Sequence, residues 1–175
     1  MNTCFNIFPD SLTCSEKKDQ IMKEIIQAFL DQKKIAVAGA STNKDNFGRM
    51  LMTELVKRGY EVYPVNPLYE EVEGVRCVPT IKELPADVQN LILAVPPRLT
   101  EEIVGQCDGS PIKRVWMHRS MGQGAESDAA KDACRQQNIG VVYGFCPMMF
   151  YGKGMHRFHL WIRKRFGKVP SEYLN

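Results

Sequence analysis

The sequence predicts an α/β fold: a doubly wound parallel sheet with helices on both faces. Three observations carry this. Short apolar runs bounded by glycine or proline recur at residues 34–39, 60–65, 88–95, 114–117 and 140–145, the pattern of strands buried on both faces. Segments with apolar residues at helical spacing lie between them, and strands that alternate with helices pair in parallel through right-handed crossovers. A chain of 175 residues, 44% of them hydrophobic, fills one core and leaves two independent domains cramped.

The whole chain, 1–175, therefore reads as a single domain in three parts. In the N-terminal part, 1–32, Ser15 opens a segment in which Ile21, Met22, Ile25, Ile26, Phe29 and Leu30 mark an amphipathic helix. The core, 33–150, begins with a strand ended by Gly39. Residues 47–58 then place Met50, Leu51, Leu55 and Val56 on one helical face, with Gly59 as the stop. The second strand, 60–65, contains Pro64 and is closed by Pro67, so it does not continue as a central ladder. Residues 68–85 are less regular, Gly74 marking a turn and 75–78 having the make-up of a short strand. The strand at 88–95 ends at Pro96-Pro97. Thr100, with Glu101 and Glu102 behind it, reads as the N-cap of the next helix. A strand at 114–117, a helix at 126–137 and a strand at 140–145 complete the series. The tail, 151–175, has Phe158, Leu160, Trp161, Ile162 and Phe166 among basic residues and reads as a basic helix.

Composition narrows the function classes. The longest apolar stretches fall far short of the roughly 20 residues needed to span a bilayer, and the first residues carry neither a basic start with an apolar run nor a small-residue cleavage site, so a cytoplasmic location is expected. Six cysteines lack a CxxC pair or interleaved histidine, which points to buried reduced thiols and to no metal site. The formal net charge is +3, but residues 151–170 hold six cations and no acid, leaving the remainder at −3. A polyanion argument applies to the tail alone. Its apolar stripe reads as docking on the domain, on a second copy or on a protein partner, ahead of nucleic acid or an anionic membrane.

In a doubly wound sheet, ligands bind beyond the carboxyl ends of the strands, near the point where strand order reverses. The turns to inspect are Gly39-Ala40-Ser41-Thr42-Asn43, Asn66-Pro67, Val95-Pro96-Pro97, His118-Arg119-Ser120 and Cys146-Pro147. Gly39 permits close backbone approach, Ser41 offers a hydroxyl, and a helix starting near Phe47-Gly48 aims free N–H groups outward, which suits a phosphate. The dinucleotide fingerprint GxGxxG is absent, Asn66 stands where an acid would hold ribose hydroxyls, and no GxxxxGK[ST] loop occurs.

From residue 35 to residue 149 the ordered set Gly39-Ala40-Ser41, Phe47-Gly48, Tyr63-Pro64-Val65-Asn66-Pro67, Val95-Pro96-Pro97, Trp116 and Cys146 with Met148-Met149 resembles the small CoA-binding proteins, built on the domain that forms the N-terminal part of the succinyl-CoA synthetase alpha subunit. The resemblance implies a Rossmann-like fold of CoA-binding type and a non-covalent CoA or acyl-CoA ligand. Its pyrophosphate would lie against Gly39, Ala40, Ser41 and Asn43 and the helix at Phe47-Gly48, its adenosine near Asn66-Pro67 and Val95-Pro96-Pro97, and its pantetheine toward Trp116. Lys44, Arg49 and Arg98 stand near these turns as solvated charges or as partners of the ribose phosphate. Two turns depart from the family pattern: His118-Arg119-Ser120 where Gln-Pro-Gly is usual, and Phe150-Tyr151 where an acid and a histidine are usual.

No complete catalytic set is legible. His118 has no serine, cysteine or carboxylate at a nameable spacing. Cys146 reads as a small buried residue, the alternative being a thiol whose pKa a helix N-terminus lowers and which forms a mixed disulfide with CoA. The function expected is a non-catalytic CoA- or acyl-CoA-binding protein, regulatory or carrier. The alternatives are a nucleotide-cofactor enzyme, a ligase component completed by a partner chain, and a protein-interaction module with a degenerate pocket.

Overall fold

A computed structural model describes residues 14–119 and 124–151, with side chains from residue 20 onward. Residues 1–13, residues 120–123 and the tail beyond Tyr151, with the basic helix expected there, lie outside the described residues. The elements in chain order are α1 (Cys14–Asp31), β1 (Lys34–Ala38), α2 (Phe47–Lys57), β2 (Glu61–Val65), the short β3 (Glu71–Val72) and β4 (Val75–Arg76), β5 (Asn90–Leu93), α3 (Pro97–Gly105), β6 (Arg114–Met117), α4 (Asp128–Gln136), β7 (Gly140–Val142) and α5 (Met148–Tyr151).

The five main strands form one parallel sheet in the order β2-β1-β5-β6-β7. The chain moves outward from β1 to β2, then returns to the other side of β1 for β5, so the order reverses between β1 and β5. Each strand feeds both faces. From β1, Ile35 and Val37 join Phe29, Leu51, Leu55, Trp116 and Tyr151 beneath α1, α2 and α5, while Ala36 and Ala38 join Leu91, Leu93, Val104, Met117 and Cys134 beneath α3 and α4. This two-sided burial is why the strands read as apolar runs rather than alternating ones.

Several boundaries differ from the sequence expectation for physical reasons. The α3 helix starts at Pro97, because proline at the first helical position has its φ already set and needs no hydrogen bond for its missing N–H. Thr100 is therefore no N-cap; it lies inside the helix, fully buried, its N–H donating to the Pro96 carbonyl at 3.1 Å. The α4 helix begins at Asp128 because Ser127 caps it, its Oγ accepting from the Ala130 N–H. The stretch 75–78 divides: Val75–Arg76 pairs antiparallel with Glu71–Val72, and Val78 bridges to Val65 at the edge of β2. Among the described residues no helix is long and apolar enough to cross a membrane.

Candidate ligand-binding crevice

The β1–α2 turn and the β5–α3 turn meet where the strand order reverses. Gly39 has φ +97°, and a Cβ there would stand 2.4 Å from the Ala94 carbonyl oxygen and 2.8 Å from Val95 Cγ1. Its bare backbone thus serves the contact between the two turns, a role the sequence assigned to ligand approach. Gly48, second in α2, plays the matching part: a Cβ there would stand 2.6 Å from the Gly39 carbonyl oxygen. The two glycines press the start of α2 onto the β1–α2 turn, and that turn onto Val95.

The polar side chains of this turn are spent on its own backbone. Ser41 Oγ accepts from the Asn43 N–H at 3.3 Å, Asn43 Oδ1 from the Asp45 N–H at 3.0 Å, and Asn46 Oδ1 caps α2 by accepting from the Arg49 N–H at 2.8 Å. The Met50 N–H donates to the Asn46 carbonyl, which leaves the Phe47 and Gly48 N–H groups without an acceptor among the described residues. No acid lies in the first turn of α2. Two unspent donors at the positive end of an eleven-residue helix form an anion-binding geometry.

Asn66 braces the turn from the β2 side. Its Nδ2 donates to the Ala40 carbonyl at 2.8 Å and its Oδ1 accepts from the Leu68 N–H at 2.9 Å. Pro67 follows on the rim, exposed. Arg49 reaches from α2 to donate to the Thr42 carbonyl at 2.6 Å and to pair with Glu73 of the β3–β4 turn. Arg98 is exposed and paired with Glu102. Of the cations near the turns, Lys44 alone stands exposed with no hydrogen bond or ion pair to a described residue.

The turns that carry Gly39, Ala40, Ser41, Asn43, Phe47, Gly48, Asn66, Pro67, Val95, Pro96 and Pro97 therefore lie side by side at the carboxyl ends of β1, β2 and β5. Trp116 does not join them: its ring is fully buried and offers the expected pantetheine contact no exposed surface. Residues alternate along β6, so the Trp116 ring points into the core beneath α1 and α5, with no exposed surface. It meets Phe29 and Phe150 edge-on at 5.4 and 5.3 Å, and Nε1 donates to the Phe145 carbonyl at 3.1 Å.

His118, two residues on, shares the face of Trp116 but stands at the carboxyl edge. It stacks on Phe47 with ring centroids 3.7 Å apart and planes 12° from parallel. The pair joins the start of α2 to the end of β6, and no local signal connects residues so distant in sequence. The imidazole is 7% exposed, Nδ1 has no hydrogen-bond partner among the described residues, and burial pushes the pKa down to about 4. Beyond it, Arg119 pairs with Glu126, which also accepts from the Gly144 N–H. The Cys146 thiol is raised rather than lowered: burial outweighs the backbone N–H groups of Met148 and Met149 that favour the thiolate.

A parallel five-stranded sheet with helices on both faces and a glycine-shaped turn at its switch point defines the Rossmann-like class of α/β domain. Residues 33–152 match the family model for the CoA binding domain, and the chain belongs to that family. It is 36% identical over 132 residues to the protein YneT of Bacillus subtilis, covering 71% of this chain and 87% of that one. It is 33% identical over 92 residues to the ADP-forming acetate–CoA ligase II subunit alpha of Pyrococcus furiosus, covering 52% of this chain and 20% of the subunit. The chain spans about a fifth or less of the ligase relatives it matches. A solved hypothetical protein of Pyrococcus horikoshii superposes with a TM-score of 0.64 at 32% identity, covering 85% of this chain and 94% of that one.

Proposed function

We propose that this protein binds CoA or acyl-CoA non-covalently in the crevice at the carboxyl ends of β1 and β5, and that it is a binding module rather than a catalyst. The observation that carries the reading is the start of α2: the Phe47 and Gly48 N–H groups are unspent, and the glycine packing fixes them beside the Gly39–Asn43 turn. Those N–H groups would hold the pyrophosphate, with the adenosine between Asn66-Pro67 and Val95-Pro96-Pro97. Membership of the CoA-binding family supports the same ligand. When bound, CoA would supply a thiol to carry an acyl group.

His118 supports the non-catalytic half. A base with a pKa of about 4 is far from the value that makes a proton carrier effective at pH 7, and among the described residues no carboxylate or hydroxyl bonds Nδ1 to orient it. The ligase-component alternative draws on the acetate–CoA ligase relatives and requires a partner chain. Thermal-shift titration with CoA, acetyl-CoA, a longer acyl-CoA and NAD tests the ligand, since one that prefers the folded state raises the midpoint, and an assay for turnover tests whether this chain alone is a catalyst. CoA species alone should shift the midpoint, and the isolated chain should form no acetyl-CoA from acetate, CoA and ATP. A shift with NAD alone, or turnover by the isolated chain, would refute the reading.

A further inference from the structure

Polar groups from two distant parts of the chain meet at the start of α2 with no partner among the described residues. The helix contributes the Phe47 and Gly48 N–H groups. The end of β6 contributes His118 Nδ1, on a residue only 7% exposed. The His118 ring lies flat on Phe47, with centroids 3.7 Å apart, so the orphaned nitrogen stands against the first residue of the open helix end. A buried polar atom left unpaired is costly, and the backbone beside this one already suits an anion.

The surroundings supply no counter-charge for a protonated ring. On α2 and the turn before it, Arg49 is held by Glu73 and the Thr42 carbonyl, while Lys44 and Asp45 are exposed. Beyond His118, Arg119 pairs with Glu126, whose other oxygen accepts from the Gly144 N–H. Neither β5, whose Leu93 carbonyl accepts from the His118 N–H, nor α5 carries a charged residue. In the turn before α5, burial keeps the proton on the Cys146 thiol. Burial therefore holds the imidazole neutral, and the positive end of α2 acts in the same direction.

We infer that His118 is a proton-linked binding residue: an anionic ligand at the start of α2 draws a proton from solvent onto its imidazole, and the imidazolium shares the ligand's charge with the Phe47 and Gly48 N–H groups. The inference rests on the CoA reading above and adds to it a residue and a pH dependence. An opposite charge within a few ångström raises the pKa of a basic group by about 1–3. By reciprocity, the middle of that range tightens the ligand about tenfold between pH 7 and pH 5. The proton balances a phosphate and reaches no acyl-transfer atom, so the role is in binding.

The test is calorimetric titration of the full chain and of His118→Phe with CoA at pH 7 and pH 5, with the His118 imidazole followed by NMR in the free and the CoA-saturated protein. A phosphate monoester on the ligand titrates near pH 6 itself, and the variant, which keeps a ring on Phe47, carries that background unchanged. Between pH 7 and pH 5 the unaltered protein should gain about tenfold more affinity than the variant. The NMR measurement needs no variant, and saturation should raise the imidazole pKa by about 1 or more. Equal pH dependence in the two proteins, or an imidazole whose titration CoA leaves unmoved, would overturn the inference and leave the CoA reading standing. No binding by either protein at either pH, with the fold intact by circular dichroism, would refute the CoA reading and this inference with it.

Discussion

Replacing His118 by phenylalanine keeps a ring stacked on Phe47 and removes the one buried titratable nitrogen at the crevice edge. In the unfolded chain the imidazole titrates near 6.5; in the fold, burial holds it neutral down to about 4. Between these values the unfolded state binds a proton that the folded state refuses, so stability is fully present above pH 6.5 and declines as pH falls toward 4. At about 1.4 kcal/mol for each pH unit, the loss attributable to this one group comes to about 3 kcal/mol. Urea unfolding at pH 7, 6, 5 and 4 measures it, with the phenylalanine variant as the reference that carries every other titrating group unchanged. The difference between the two proteins should grow in the variant's favour by about 1 kcal/mol per pH unit below 6. Parallel pH profiles would show that His118 titrates normally and that its burial against Phe47 is wrong.

Three further outcomes follow from the packing of the crevice. Gly48→Ala drives a Cβ into the Gly39–Ala40 backbone, which should cost about 1–3 kcal/mol in urea unfolding and weaken any CoA-dependent thermal shift, because α2 must move off the turn. Asn66→Ala leaves the Ala40 carbonyl and the Leu68 N–H without their side-chain partner; stability should fall by about 1–2 kcal/mol, and loosening of the turn should show as faster hydrogen exchange at Ser41 and Thr42. Trp116→Phe loses core volume and the hydrogen bond to the Phe145 carbonyl, so the unfolding midpoint should drop while CoA affinity stays within about twofold. A selective loss of affinity there would restore the pantetheine contact that the structure removes.

The sheet was legible because its strands are buried on both sides. A run such as Ile35-Ala36-Val37-Ala38 has no polar face to hide, and its alternation of large and small residues sends the larger pair toward α2 and the alanines toward α3 and α4. That the turns at Gly39, Asn66 and Val95 lie together was legible because they follow neighbouring parallel strands at the same edge of the sheet. What each turn does was less legible. Gly39 serves a contact with Ala94, which lies far away in sequence, and Gly48 serves the packing of α2 on the turn that Gly39 opens.

Trp116 was misread because its position near a strand end gives no facing; that depends on which helix covers each side of β6, a tertiary fact. The same parity that buries Trp116 carries His118 to the edge, where it meets Phe47. The Arg49–Glu73 pair is a second case, since residues 68–85 had no periodic pattern from which the β3–β4 turn could be placed beside α2. The start of α3 was missed for a local reason: a threonine followed by two acids outweighed Pro97, although proline at the first helical position was the better signal.

The central claim is tested most directly by backbone amide NMR of the labelled protein titrated with CoA. The account expects the largest shifts at Ser41, Thr42, Phe47, Gly48, Asn66 and Val95, with the Trp116 indole N–H nearly unmoved. Saturating CoA that left these amides unchanged, or that moved a different surface, would contradict the placement of the ligand at the start of α2.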